Sequence, residues 1–424
     1  MNEHKAVPNI RFKGFDDEWE DEKLGKITKY VKGYAFESRL YTENGIRIIK
    51  VTDLTKKKIR EENKSSTYIF QTTATKFKKY IIHQKDIIIT TVGSKTKLKS
   101  SSVGRAIYVD KSRNYLLNQN LVKITALSDF DSFFIYSQLE QPKYINYISK
   151  IERGNANQAN IEIKDLWNYL IKVSSIKEQQ KIGNLFFKLD KLLDLQQQKI
   201  DKLELLKKAL LQKLFPKHDA KIPELRFKGF EDEWKKEKLS KLGHTFSGLS
   251  GKTKKDFGHG KAKYITYMNV FKNPLTSKTG LDNIEVDSKQ HNVKYGDVLF
   301  TMSSETPEEV GMSSVWKYHL ENIYLNSFSF GYRLSTKFDL NFLAFMFRSQ
   351  LVRKEIKILA QGISRYNISK NKMMDIVAYF PTDSEQQKIG SLLSKVDQLI
   401  ELENKKLQDF QQVKKCLLQN MFVE

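Results

Sequence analysis

Cysteine is nearly absent from this chain of 424 residues: Cys416 is the only one. An internal disulfide is therefore excluded, and a reducing compartment suits the chain. Prolines number seven and no two are adjacent, so the Asn/Asp-Pro-Pro-aromatic tetrapeptide that holds a target base in amino-methyltransferases has no place here. No run of about 18 apolar residues occurs, and the opening MNEHKAVPN lacks the apolar core of a signal peptide. The expectation is a soluble, cytoplasmic chain with no membrane partner. Glycine-rich cofactor turns are also missing. In SGLSGKT, Ser247 to Thr253, the phosphate-loop pattern needs glycine five places before Gly251, and Phe246 stands there. The seven histidines are scattered and show no HExxH spacing, and a lone cysteine makes no CxxC pair. The acidic runs Asp16-Asp17-Glu18 and Glu231-Asp232-Glu233 read as solvated turns. Asp21-Glu22-Lys23 resembles the tail of a nuclease motif, but Lys236-Glu237-Lys238 stands in the corresponding place further along without the first carboxylate. No catalytic residue, no metal and no cofactor held by this chain is expected.

What the chain has in excess is positive charge. Lys+Arg count 73 against 50 Asp+Glu, a formal charge of +23 and a pI near 9.6. A polyanion is the partner to test first, nucleic acid ahead of an anionic membrane, although basic residues can also form a merely solvated coat.

The second excess is repetition. RFKGFDDEW, Arg11 to Trp19, returns as RFKGFEDEW, Arg226 to Trp234, and Val7 to Ile27 can be laid over Ile222 to Leu242. EQQKIG, Glu178 to Gly183, returns at Glu385 to Gly390, and that alignment runs without a gap to Phe215 and Phe422. Apolar residues three and four apart predict one long helix in each copy. The predicted seam is Ile182, Leu185, Leu189, Leu192, Gln196, Lys199, Leu203, Leu206 and Leu210 in the first, and Ile389, Leu392, Val396, Leu399, Glu403, Lys406, Phe410, Val413 and Leu417 in the second. Each helix would be on the order of 58 Å long at ~1.5 Å per residue. Antiparallel pairing would bring the polar middles together, with Glu403 facing Lys199 and Gln196 near Lys406. Two separate amphipathic helices, each packed on its own neighbour, are the alternative.

Between the constant pieces lie two variable ones, roughly Thr28 to Val173 and Gly243 to Phe380. Strands are expected at Ile46 to Val51, Ile87 to Ile89, Tyr264 to Val270 and Asp297 to Phe300, and helices at Ser132 to Leu139 and Asn341 to Leu351. The fold class is α+β: two similar mixed α/β domains separated by two long helices that form an antiparallel coiled coil, with pseudo-twofold character. The expected boundaries are 1–173 for the first motif and domain, 174–215 for its helix, 216–221 for a linker, 222–381 for the second motif and domain, and 382–424 for the second helix.

Polar, basic loops in the variable domains are the candidate contacts to DNA, since Lys and hydroxyls hold phosphates while Arg, Asn and Gln can read base edges. In the first domain they are Lys95, Lys97, Lys99 and Arg105, then Arg153, Asn155 and Gln158. In the second they are Lys252, Lys254, Lys255, Lys261 and Lys263, then Ser364, Arg365 and Tyr366.

On these motifs, namely the two RFKGF openings, the EQQKIG helices ending at Phe215 and Phe422, and the glycine loops leading to Asn160-Ile161 and Asn367-Ile368, the sequence resembles the specificity subunit of type I restriction-modification enzymes over nearly its whole length. That resemblance implies two target recognition domains reading the halves of a split, asymmetric double-stranded DNA site. It implies a non-catalytic chain that docks two modification (methyltransferase) subunits and the restriction (translocase/endonuclease) subunits. S-adenosylmethionine, ATP and Mg would then belong to those partners. Two identical partners would need two similar docking surfaces, which would account for the repeats. Lys13 and Asp17, with Lys228 and Asp232, stand where the family often carries proline and glycine, and QGISRYNIS replaces the glutamine loop of the first domain. A freestanding DNA-binding regulator and an unrecognised nuclease are the competing readings.

Overall fold

The computed structural model describes residues 7–95, 103–217 and 220–423. The chain divides into two units, residues 1–197 with 406–424, and residues 198–405. The division falls inside both long helices, Ile176–Lys213 and Asp383–Asn420.

In the first unit, the opening segment leads into strand Glu20–Lys23, which pairs antiparallel with Leu170–Val173 just ahead of the first long helix. A four-stranded antiparallel sheet follows in the order Thr28–Lys32, Leu121–Ala126, Ile87–Thr90, Ala106–Tyr108. The Ile87–Thr90 strand is covered on both faces, which is why it reads as an unbroken β-branched run and not as an alternation. Ile87 and Ile89 point into the main core with Trp19, Phe134 and Phe186, and Ile88 into a smaller cluster with Ile49, Ile107 and Leu117. Helix Ser132–Leu139 is entirely buried and starts on Asp131, whose side chain accepts from the Phe134 N–H.

The second unit repeats this plan with other letters. Lys235–Lys238 pairs with Val377–Phe380, and the four-stranded sheet runs Gly243–Ser247, Ser329–Leu334, Val298–Thr301, Ser313–Val315. Val298 and Phe300 face the main core, while Leu299 faces a second cluster with Trp316. Asp339 caps helix Leu340–Met346 as Asp131 caps its counterpart.

Three predicted elements differ, the first being the strand expected over Ile46 to Val51, which ends at Ile49 ahead of a short 3-10 turn, Val51–Asp53. The strand expected over Tyr264 to Val270 ends at Ile265, because the Thr266 side chain accepts from the Asn269 N–H and starts a short helix, Tyr267–Lys272. The helix expected over Asn341 to Leu351 breaks at Ser349, which takes an extended backbone before helix Gln350–Ile358. Arg348, at the break, donates to the carbonyls of Val270, Phe271 and Ser313, and Arg353 to those of Glu308, Val310 and Gly311. Burial lowers both guanidinium groups to about 10.

Candidate nucleic-acid interface

The repeated motifs meet each other inside each unit. Arg11 makes a two-pronged ion pair with Glu178, Nε to Oε1 at 2.8 Å and Nη2 to Oε2 at 2.9 Å, and Arg226 does the same to Glu385 at the same distances. Both carboxylates are buried, and each holds its arginine above the usual range through that hydrogen bond. The next letter of EQQKIG ties down the capped helix: Gln179 Oε1 accepts from the Asp131 N–H at 3.0 Å, and Gln386 Oε1 from the Asp339 N–H at 3.2 Å. The lysine rides on an aromatic ring, Lys181 over Phe15 at 4.8 Å and Lys388 over Phe230 at 4.7 Å. The isoleucine enters the core. At Gly183 and Gly390 an added Cβ would lie 2.1 and 2.3 Å from the capping carboxylates of Asp131 and Asp339, so no larger residue fits. Trp19 packs on Phe422 with ring centroids 6.0 Å apart, and Trp234 on Phe215 at 6.2 Å. The buried letters of the repeats are thus held by contacts within the chain, whereas the repeated Lys13 and Lys228, and Gln180 and Gln387, are exposed.

The helices pair antiparallel within each unit. In the second, Lys199 meets Glu403 at 2.9 Å and Lys207 meets Asp397 at 2.5 Å, one helix rising as the other falls. In the first, Lys414 meets Asp190 at 2.7 Å and Glu140 at 2.6 Å. The inward stripe corrects the predicted seam at alternate positions. It runs Ile182, Phe186, Leu189, Leu193, Gln196, Ile200, Leu203, Lys207, Leu210, Leu214, and Ile389, Leu393, Val396, Ile400, Glu403, Leu407, Phe410, Lys414, Leu417, Met421, all buried or half-buried. Leu192, Leu206, Leu399 and Val413 are exposed, as are Lys199 and Lys406, while Leu185 and Leu392 lie partly buried at its edge. A strict three-four alternation puts one residue per half-heptad at the partner, and adjacent apolar pairs such as Leu192-Leu193 and Leu399-Ile400 hide which one.

The frame presents a short hairpin in each unit. In the first, Arg153–Gly154 pairs with Ala159–Asn160, which pairs in turn with Val92–Gly93. The Lys95 N–H donates to the Ala156 carbonyl, so the two polar loops predicted to bind DNA lie side by side. Lys97 and Lys99 fall outside the described residues. Asn155 folds back, its Oδ1 accepting from the Asn157 and Gln158 N–H groups, and Gln158 is exposed. Arg153 is engaged with Glu162 and, at 2.8 Å, with Asp165. Arg105 donates to the Thr55 carbonyl at 3.2 Å, and burial holds its guanidinium below the usual range. Beside the hairpin lies a cavity of ≈ 520 Å³ whose walls include Lys32, Thr91, Gln119, Asn120, Asn160 and Lys164. Except for Asn160, none of these six stood out in the sequence, since isolated amides and lysines leave no pattern.

In the second unit the counterpart hairpin closes between Gln361 and Asn367, and Tyr366–Asn367 pairs with Ser303–Ser304. Ser364 and Arg365 are exposed and Tyr366 is half-buried. Tyr267 donates to the Ser303 carbonyl at 2.7 Å, and Lys370 to Ser247 Oγ at 2.9 Å. Of the predicted lysines, Lys261 and Lys263 lie on another sheet of the unit, formed by strand Phe257–Ile265 between Leu281–Ile284 and Ile323–Leu325, and Lys252, Lys254 and Lys255 precede that strand, the last two in a short turn, Lys254–Asp256. Lys254, Lys255, Lys261 and Lys263 are exposed, whereas Lys252 pairs with Asp287 at 2.8 Å. Among the described residues, no group of three or more His, Cys, Asp or Glu is placed to hold a metal, and no helix is long and apolar enough to cross a membrane.

Comparison with known proteins gives the frame a lineage. The family model described as the type I restriction modification DNA specificity domain matches twice, over residues 16–205 and 231–412. The type I restriction enzyme MjaVIII specificity subunit of Methanocaldococcus jannaschii is 20% identical over 95% of this chain and 91% of its own. The S subunit of a type I restriction-modification system from M. genitalium superposes with a TM-score of 0.63 at 16% identity, covering 99% of both chains. A chain from a study of complex assembly and conformational transition of the type I R-M system reaches 0.50 at 14% identity, over 96% of this chain and 98% of that one.

Proposed function

Since the chain belongs to the family of type I restriction modification DNA specificity domains, we propose that it selects a bipartite, asymmetric site on duplex DNA, one half read by each unit. The observation that carries this reading is the contrast between frame and hairpin: the clasp residues recur letter for letter, while the loops presented by the hairpins do not. Two unlike readers on one repeated scaffold suit two unlike half-sites. The net charge of +23 supplies the phosphate attraction. Exposed Lys254, Lys255, Lys261 and Lys263, with Lys97 and Lys99, are the phosphate contacts of this reading, and Gln158, Ser364 and Arg365 are its base contacts.

On the same reading the chain itself is not catalytic. Adenine-N6 methylation with S-adenosylmethionine belongs to two modification subunits docked on it, and ATP-driven translocation and cleavage to restriction subunits. The reading is supported by the family match and by a structural relative solved in a study of type I R-M complex assembly. It places the chain in the cytoplasm, with its DNA. A freestanding DNA-binding regulator is disfavoured by the family match over both halves.

The long helices act as the ruler between half-sites, set near one DNA turn, about 34–36 Å, for two readers on one side of the duplex. Inserting the same whole number of heptads into both helices tests this. The gap between the half-sites in the methylation map of the host genome should change, and an unchanged gap refutes the ruler.

A further inference from the structure

The two hairpins differ most in polarity. Ile363, at the tip of the second hairpin, is 96% exposed. Its position is built, not accidental. Gln361 and Asn367 exchange backbone hydrogen bonds of 2.9 and 2.8 Å, and Gly362 takes φ 143° with room for no Cβ, since one would lie 2.0 Å from the Arg365 carbonyl. A second large apolar side chain, Phe328, is 57% exposed on the neighbouring loop. The backbone joins the two, because Met302 donates to the Phe328 carbonyl and accepts from the Ile368 N–H at the foot of the hairpin. In the first unit the same bonds link Thr91 to Asn120 and to Ile161. The corresponding positions therefore carry Asn120 where the second unit has Phe328, and the self-bonded Asn155 turn where it has Ile363. Two such side chains left in water forgo the stabilisation that burial would bring. Ile363 adjoins exposed Ser364 and Arg365 on the hairpin assigned to DNA.

We propose that the second unit recognises thymine in its half-site through the 5-methyl group, with Ile363 and Phe328 as the apolar contacts, whereas the first unit reads through amides. In the major groove the thymine methyl is the apolar feature that distinguishes one base pair from another, and aliphatic and aromatic side chains meet it. The inference rests on the DNA-recognition reading above.

The test uses the full-length chain and duplexes carrying the site found by methylation mapping, with each thymine of both halves replaced singly by uracil, which deletes only the methyl. The wild type should lose affinity by about fourfold, the worth of one buried methyl-sized group, at one or more positions confined to one half. Ile363→Ala and Phe328→Ala should bind thymine and uracil duplexes more nearly alike, the double variant should no longer distinguish them, and Ile363→Val should keep most of the discrimination. A half-site without thymine overturns the inference, as does equal binding of every uracil duplex by the wild type, or a uracil penalty that survives in the double variant. If the wild type shows no preference for the mapped site over unrelated DNA, the recognition reading itself fails, and that outcome is distinct from the others.

Discussion

Arg11 holds Glu178 in the first unit with the geometry by which Arg226 holds Glu385 in the second. The hairpins these frames carry, Arg153 to Asn160 and Gln361 to Asn367, share little beyond a positive-φ glycine and the closing asparagine. The difference separates two kinds of constraint. A buried ion pair, a helix cap and a glycine against a carboxylate each admit few substitutes, so both copies keep them. A hairpin needs only its turn and its closing pair, which leaves the tip free to become amide-rich in one unit and apolar in the other. Repetition at buried positions therefore marks what holds each unit together, and divergence at the hairpin tips marks what it presents.

The largest expected break in this comparison comes from the clasp. Glu178→Gln leaves Arg11 without its charge partner and should destabilise the first unit by about 3–5 kcal/mol, while Glu385→Gln should do the same to the second. Urea unfolding followed by Trp19 in one case and Trp234 in the other would show two transitions, only one shifted; a joint shift would deny the units their separate clasps. The seam gives the next effect. Ile200→Ala should cost about 2–5 kcal/mol, and Leu206→Ala, on the exposed side, within about 0.5 kcal/mol of nothing; thermal melts showing the reverse would restore the seam expected from sequence. Gly183→Ala and Gly390→Ala push a methyl against Asp131 or Asp339 and should each cost about 1–3 kcal/mol. Smallest is a difference between lysines. Lys261→Ala should flatten the dependence of log binding on log salt by about 0.9, and Lys252→Ala by less, because Lys252 is paired with Asp287; equal slopes would remove that distinction.

The sequence made the repeats, the two long helices and the β-branched central strand legible, because each leaves a period or a copied string. The contact between RFKGF and EQQKIG did not show, since two conserved-looking motifs carry no record of meeting. The seam was displaced at alternate positions because Leu185-Phe186, Leu192-Leu193, Leu392-Leu393 and Leu399-Ile400 each satisfy a three-four pattern in either choice, and only packing against the partner helix decides. Among candidate contacts, basic loops were visible as charge, but Arg105, Arg153 and Lys252 turned out to be engaged inside the chain. Phe328 and Ile363 gave no signal, because an isolated apolar residue in a sequence looks like core.

The most direct measurement is to make the readers identical. A chain in which residues 28–173 are replaced by a second copy of residues 243–380, with both clasps and both long helices retained, should be expressed with its methyltransferase partner and its methylation sites mapped. The account predicts a target in which the second unit's half-site stands on both sides of the gap. A map still showing two unlike halves would contradict it.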